Sequence, residues 1–252
     1  MRITRCYVPP PLQPQTQVML PEATALHVVR VLRLRAGAEL TVFDGRGGEY
    51  AAQILAITRD EVRIAVGSHR PIDRESLARI MLLQSLARGE RMDLIVQKAT
   101  ELGVHTIVPV ASQHSVVRLA GAAAARRIEH WRQVVVSACE QCGRNRIPSI
   151  RDVTEAASAC AAVPMQVRRY LLSADASESL ATALRRDLSE STPEHRELAL
   201  LIGPEGGWSQ GELEVAERVG FEPVGLGPRV LRTETAPLAA LAIVQALCGD
   251  LR

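Results

Sequence analysis

The stretch Gly225-Leu-Gly-Pro-Arg-Val-Leu-Arg-Thr-Glu-Thr-Ala-Pro-Leu-Ala-Ala-Leu241 decides how this chain is read. Gly225, Gly227 and Pro228 break regular structure in its first half and leave backbone groups available to a ligand. The second half starts a helix. Thr235 is placed to cap it, and Pro237 falls in the first turn, where the absent N–H costs nothing. Leu238, Leu241 and Val244 or Gln245 continue at helical spacing. Between the halves stands Arg232-Thr-Glu-Thr235, a dense run of donors and acceptors at a helix N-terminus. A capped surface loop would have the same composition. A second Gly/Pro loop upstream, Gly203-Pro-Glu-Gly-Gly207, shifts the balance toward a site.

Working outward, the residues before Gly203 and after Gly207 alternate between strand and helix patterns. Ile80–Leu86, Val104–Val110, Tyr170–Ser173, Leu198–Ile202 and Pro223–Leu226 read as strands, the first as a continuous apolar run typical of a buried parallel strand. Arg91–Leu102 reads as a helix with Leu94, Ile95, Ala99 and Leu102 on one face, closed by Gly103. Ala122–Cys142 is a long helix bearing Ile128, Trp131, Val135, Ala138 and Cys142. Ser209 with Glu212 forms a capping box opening a helix to Val219. This alternation means a parallel sheet covered by helices, whose ligands bind beyond the carboxyl ends of the strands. Both Gly/Pro loops stand at such ends.

The first third differs. Residues 3–8, 17–20, 39–43, 49–57 and 61–66 read as short strands, with a helix from Pro21 to Leu34 whose buried face is Ala25, Val28, Val29 and Leu32. Short strands with the turn Asp44-Gly-Arg-Gly-Gly48 suggest a small β-barrel. The proline-containing polar segment 71–75 reads as a linker, so two domains are expected, 1–72 and 73–252.

The totals bound the function. In 252 residues, 47% are hydrophobic and 23% charged, ordinary for a globular protein. No apolar run approaches a membrane span and no secretory signal is visible, so a cytoplasmic protein is expected. Five scattered cysteines argue against a disulfide framework, and the lone Cys139-x-x-Cys142 pair, without a second pair or a histidine cluster, gives no expectation of metal. Residues 1–70 carry nine arginines against six acids, whereas the remainder balances 21 bases against 22 acids. Arg30, Arg33 and Arg35 concentrate this positive charge, as phosphate contacts or a solvated face would.

The glycine loops match neither G-x-G-x-x-G nor G-x-x-x-x-G-K-[ST], which disfavours a nicotinamide-binding dehydrogenase and a P-loop enzyme. No nucleophile elbow or H-E-x-x-H occurs, and the histidines (His27, His69, His105, His114, His130, His195) are dispersed. Two loops rich in main-chain donors and acceptors suit an adenosine-type cofactor beside the Arg-Thr-Glu-Thr cluster. The reading from residues alone reaches that point.

Leu201-Ile-Gly-Pro-Glu-Gly-Gly-Trp-Ser209 with Glu212, and Leu226-Gly-Pro-Arg-Val-Leu-Arg-Thr-Glu-Thr-Ala-Pro237, resemble the RsmE-type 16S rRNA uridine-N3 methyltransferases of the SPOUT superfamily. The resemblance extends to His27-Val-Val-Arg-Val-Leu-Arg33 and Asp44-Gly45 upstream, to Gln97-Lys-Ala-Thr-Glu-Leu-Gly-Val104, and to Glu140-Gln-Cys-Gly-Arg144. It implies a PUA-like N-terminal barrel that helps hold RNA, a C-terminal α/β domain tied in a trefoil knot, and a homodimer. It also implies S-adenosylmethionine (SAM) in the knot, touching Gly203, Leu226, Leu231 and Ala236, with Leu172 and Thr233 nearby and Glu205 supporting its own loop. Arg232 would stabilise negative charge on the uracil, and Glu234 would act as general base or orient the base edge. Arg5, Arg30 and Arg33 are expected RNA-phosphate contacts. Glu140, Gln141 and Arg144 could serve either RNA or the subunit contact. A ribose 2′-O-methyltransferase of the same superfamily, or a non-catalytic RNA-binding assembly factor, are the alternative functions.

Overall fold

The computed structural model of the chain describes residues 4–59, 61–190 and 197–251; residue 3, where the first strand is expected to start, and His195 lie outside them. The chain forms two compact units: residues 1–75 with 136–147, and residues 76–135 with 148–252. A single boundary at 72/73 therefore misses the return of 136–147 to the first unit.

The first unit holds β1 (Thr4–Tyr7), β2 (Gln17–Met19), α1 (Glu22–Leu26), β3 (Glu39–Phe43), β4 (Glu49–Thr58) and β5 (Glu61–Arg70). They make a five-stranded sheet in the order β1-β3-β4-β5-β2, with β1 parallel to β3 and the other pairs antiparallel. The inward residues of these strands, among them Val42, Ile54, Val62 and Ile64, pack with Ala25 and Val28 into one apolar core. The expected helix 21–34 stops early. After Leu26 the backbone widens into a single π-helical turn, His27–Val31, and Arg33 sits at φ 52° in the left-handed region. The β-branched residues Val28, Val29 and Val31 crowd a regular helix there, and Leu32, expected inside, is exposed.

The second unit contains β6 (Arg79–Ser85), α2 (Glu90–Glu101), β7 (Val104–Ala111), the first part of α3 (Gly121–Cys142), β8 (Ser149–Ile150), β9 (Thr154–Glu155), α4 (Ala156–Ala161) and β10 (Arg168–Leu172). It continues with α5 (Leu180–Glu190), β11 (Glu197–Ile202), α6 (Gln210–Arg218), β12 (Glu222–Val224) and α7 (Thr235–Cys248). The sheet runs β12-β10-β11-β6-β7-β8 with β9 also on β7, and every pairing is parallel. Burial on both faces explains the unbroken apolar runs: Leu198 to Ile202 are all buried, as are Ile80, Leu82 and Leu83. In α2, Leu94 is exposed, and the buried face is Met92, Ile95, Val96, Ala99 and Thr100.

Gln245, buried on α7, accepts from Ser76 Oγ at 2.6 Å and donates to the Leu102 carbonyl at 2.8 Å, so the last helix caps the end of α2. Gly103 follows at φ 79°; a Cβ there would meet Gln245 Nε2 at 2.4 Å, so glycine is required by backbone and by space alike.

Candidate active site

Because β12, β10 and β11 are adjacent and parallel, their carboxyl ends open on one edge of the sheet, and the three loops that follow them must meet there. Hydrogen bonds fix the meeting. Ser173 N donates to Val224 O at 3.0 Å, Gly225 N to Glu178 O at 2.8 Å, and Leu180 N to Gly225 O at 2.9 Å. Thr233 Oγ1, almost fully buried, donates to Gly203 O at 3.0 Å and joins the loop after β11 to the one before α7. His114 Nδ1 lies 3.2 Å from the carbonyls of Gly206 and Gly207. The capping box of α6 is complete: Ser209 N and Glu212 Oε2 are 2.9 Å apart, Glu212 N and Ser209 Oγ 3.4 Å. It fixes the point from which Trp208 turns back over Gly203.

These loops enclose a cavity of about 570 Å³. Leu172, Gly203, Glu205, Leu226, Leu231, Thr233 and Ala236 all line it, with Arg232. So do Trp208, Arg229 and Val230, which stand in the two stretches that carry the resemblance, together with Ser173–Asp175, Leu213 and Val224. Leu213 and Val224, inside a helix and a strand, were not singled out from the sequence, because neither carries a motif. Arg232 is solvent-exposed, as are Arg229 and Val230 beside it.

Glu234 is not part of the lining. It occupies the N-cap position of α7, where Thr235 was expected; Thr235 is the first helical residue, and Thr235 N and Ala236 N both donate to Arg232 O, at 2.8 and 3.0 Å. Glu234 makes no side-chain cap. Its Oε1 lies 3.8 Å from Arg91 Nε, and its Oε2 is enclosed without a hydrogen-bond partner among the described residues. Glu205 likewise differs from expectation. Rather than bonding its own loop, its carboxylate takes Arg91 Nη1 at 2.6 Å.

Arg5, expected as a phosphate contact, and Arg144, expected as an RNA or subunit contact, instead form internal ion pairs of the first unit. The Arg5 side chain is largely enclosed, 2.5 Å from Glu49 and 2.6 Å from Asn145 Oδ1, with its guanidinium over the Phe43 ring, 5.0 Å from the centroid. Arg144, which is buried, is bound to Glu75 through Nε at 3.0 Å and Nη2 at 2.5 Å. Burial pushes the Glu49 carboxyl up, but hydrogen bonds from Arg5, Arg74 and Asn145 outweigh it and hold the group below its ordinary value. Glu140 accepts from Tyr7 N at 2.8 Å and so anchors β1; burial, its largest influence, raises its carboxyl. Arg30 and Arg33 are exposed on and after the π-helical turn.

Cys139 is buried, and desolvation lifts its thiol to about 12. Among the described residues no cluster of three His, Cys, Asp or Glu could hold a metal, and no helix is long and apolar enough to cross a membrane.

Residues 74–245 match the RNA methyltransferase domain family, and residues 20–66 the RNA methyltransferase PUA domain family. The chain is similar to the ribosomal RNA small subunit methyltransferase E of Buchnera aphidicola subsp. Schizaphis graminum, 32% identical over 250 residues, spanning 99% of this chain and 98% of the relative. Among solved structures it is similar to a Legionella pneumophila methyltransferase with the cofactor SAM bound, at TM-score 0.92 and 35% identity over 100% of both chains. It is similar also to the Neisseria gonorrhoeae ribosomal RNA small subunit methyltransferase E bound to S-adenosylmethionine, at TM-score 0.88 and 35% identity, again over 100% of both chains.

Proposed function

Because the chain belongs to the ribosomal RNA small subunit methyltransferase E family, we propose that it methylates N3 of a uridine in 16S rRNA with SAM as donor. The observation that carries this reading is the cavity at the ends of β10, β11 and β12. Its 570 Å³ falls within the roughly 300–1,000 Å³ of small-molecule sites. The lining suits an adenosyl group: Leu172, Val224, Leu226 and Leu231 offer apolar cover for a purine face, and the turns at Gly203 and Gly227 bring main chain to its edge. Trp208 Nε1, buried in the same lining without an acceptor among the described residues, is a donor that a polar ligand group would satisfy. Asp175 is a carboxylate of the lining able to accept from ribose hydroxyls or pair with an ammonium, whereas the Glu205 carboxylate is taken by Arg91.

When bound, SAM supplies an electrophilic methyl group on a sulfonium sulfur. The chain's own task lies with the uridine, whose N3 carries a proton and is a poor nucleophile. That proton must leave, to solvent, before or as the N–CH3 bond forms and the C–S bond breaks, and the imide anion that forms must be stabilised. Arg232, exposed in the cavity lining, donates to the uracil carbonyl oxygens as they gain charge. Thr233 holds Arg232 in register by fixing the loop to Gly203. The enclosure of Glu234 supports a loop-orienting role for it over proton abstraction. Arg30 and Arg33 contact RNA phosphates from the first unit.

The reading also includes a trefoil knot in the second unit, a homodimer that assembles the RNA site, and a cytoplasmic location. The knot is supported by the close tying of residues 178–180 to Gly225 and of Thr233 to Gly203. Labelled methyl transfer from SAM to small-subunit rRNA tests the proposal. Arg232→Ala should abolish turnover while S-adenosylhomocysteine still binds in calorimetry; equal loss of both would assign Arg232 to the fold.

A further inference from the structure

Arg91 lies outside both cavity loops, in the first turn of α2, yet its guanidinium is the group that meets both. Nη1 is 2.6 Å from Glu205 Oε1, on the loop after β11, and Nε is 3.8 Å from Glu234 Oε1, at the N-cap of α7. Thr233, the residue before Glu234, makes the other described tie between these loops. We propose that Arg91 is a positioning residue for the methyl-donor site, clamping the Gly203–Gly207 loop to the start of α7 through Glu205 and Glu234.

The inference rests on the reading of the cavity as a SAM site. Its physical basis is charge. Without Arg91, two carboxylates would face each other across the joint with no described cation between them, and Glu234 Oε2 already lacks a donor. A half-exposed pair such as Arg91–Glu205 adds little to global stability. The effect should therefore fall on loop geometry, and hence on cofactor binding. Arg232 lies between the clamped positions, so catalysis should respond as well. A planar guanidinium can address both carboxylates at once; a lysine, as a single point charge, can hold one and attract the other.

The test compares wild type, Arg91→Ala, Arg91→Lys and Glu205→Gln, alone and combined, by calorimetric titration with S-adenosylhomocysteine, steady-state kinetics and thermal unfolding of the ligand-free protein. Arg91→Ala should weaken ligand binding about five- to tenfold and raise KM for SAM likewise. KM for RNA should change less than twofold and the unfolding midpoint by no more than a degree or two. Arg91→Lys should recover at least half of the lost affinity. Glu205→Gln should cost little further once Arg91 is alanine. Wild-type affinity in Arg91→Ala, strictly additive losses, or a loss that follows a fall in unfolding midpoint would overturn the clamp. A wild-type protein that fails to bind the ligand would instead overturn the SAM reading of the cavity, and the clamp with it.

Discussion

Gly203→Ala probes the cavity at its tightest wall. A Cβ built on Gly203 would lie 2.9 Å from Trp208 Nε1 and 3.2 Å from Cδ1 and Cε2. Carbon atoms in contact prefer about 3.5–4.0 Å, so the indole must retreat by several tenths of an ångström. It has little room: Trp208 packs against the apolar core that includes Leu201, Ala216 and Phe221, and its ring forms part of the cavity wall. Overpacking of this kind costs about 1–3 kcal/mol. Felt at the ligand-binding surface, that cost lowers affinity about 5- to 150-fold. Calorimetric titration with S-adenosylhomocysteine measures it directly. Tryptophan emission reports the ring's movement, with Trp131 the only other tryptophan in the sequence. In a Trp208→Leu background the added methyl should cost far less. Affinity within twofold of wild type and unshifted emission would refute the packing argument.

Arg5→Met removes one partner of a buried ion pair and should destabilise the protein by about 3–5 kcal/mol in urea unfolding, whereas Arg33→Ala should leave stability nearly unchanged. The same two variants separate in RNA binding: Arg33→Ala should reduce the salt slope by about one, while folded Arg5→Met keeps it. Glu49 gives a pH dependence of known sign. Its carboxyl is held low in the fold, so its contribution is present above the unfolded value of about 4.3 and is lost as pH falls through the depressed folded value. Glu49→Gln should flatten the acid limb of stability. Gln245→Ala should cost about 1–3 kcal/mol in thermal unfolding, because the Leu102 carbonyl loses its donor. Native-state alkylation at pH 8, read by mass spectrometry, should spare Cys6 and Cys139, whose burial lifts both thiols to about 12.

Local chemistry made much of the second unit legible. The run Ile80–Leu86 announced a buried parallel strand, Ser209 and Glu212 announced a capped helix, and glycine–proline loops at strand ends announced the cavity. Partners distant in sequence remained hidden. Arg5 pairs with Glu49 and Asn145, 44 and 140 residues away, and Arg144 with Glu75, 69 away. Without those partners in view, Arg5 passed for a phosphate contact in a basic segment, and Arg144 for an RNA or subunit contact at the end of a long helix. The return of residues 136–147 to the first unit has the same cause, since nothing within a continuous amphipathic helix such as α3 marks where its packing partner changes. Arg91 was invisible for a related reason: at the start of an ordinary helix it carries no motif, and only the fold brings Glu205 and Glu234 to it. The shorter elements β8, β9 and α4 are too brief for periodicity to register.

The most direct test of the account is the identity of the methylated nucleoside. Small-subunit rRNA incubated with the protein and methyl-labelled SAM, then digested to nucleosides, should yield label in 3-methyluridine that stays with the base when the sugar is removed. Label in a 2′-O-methylated ribose, or no label above an Arg232→Ala control, would contradict it.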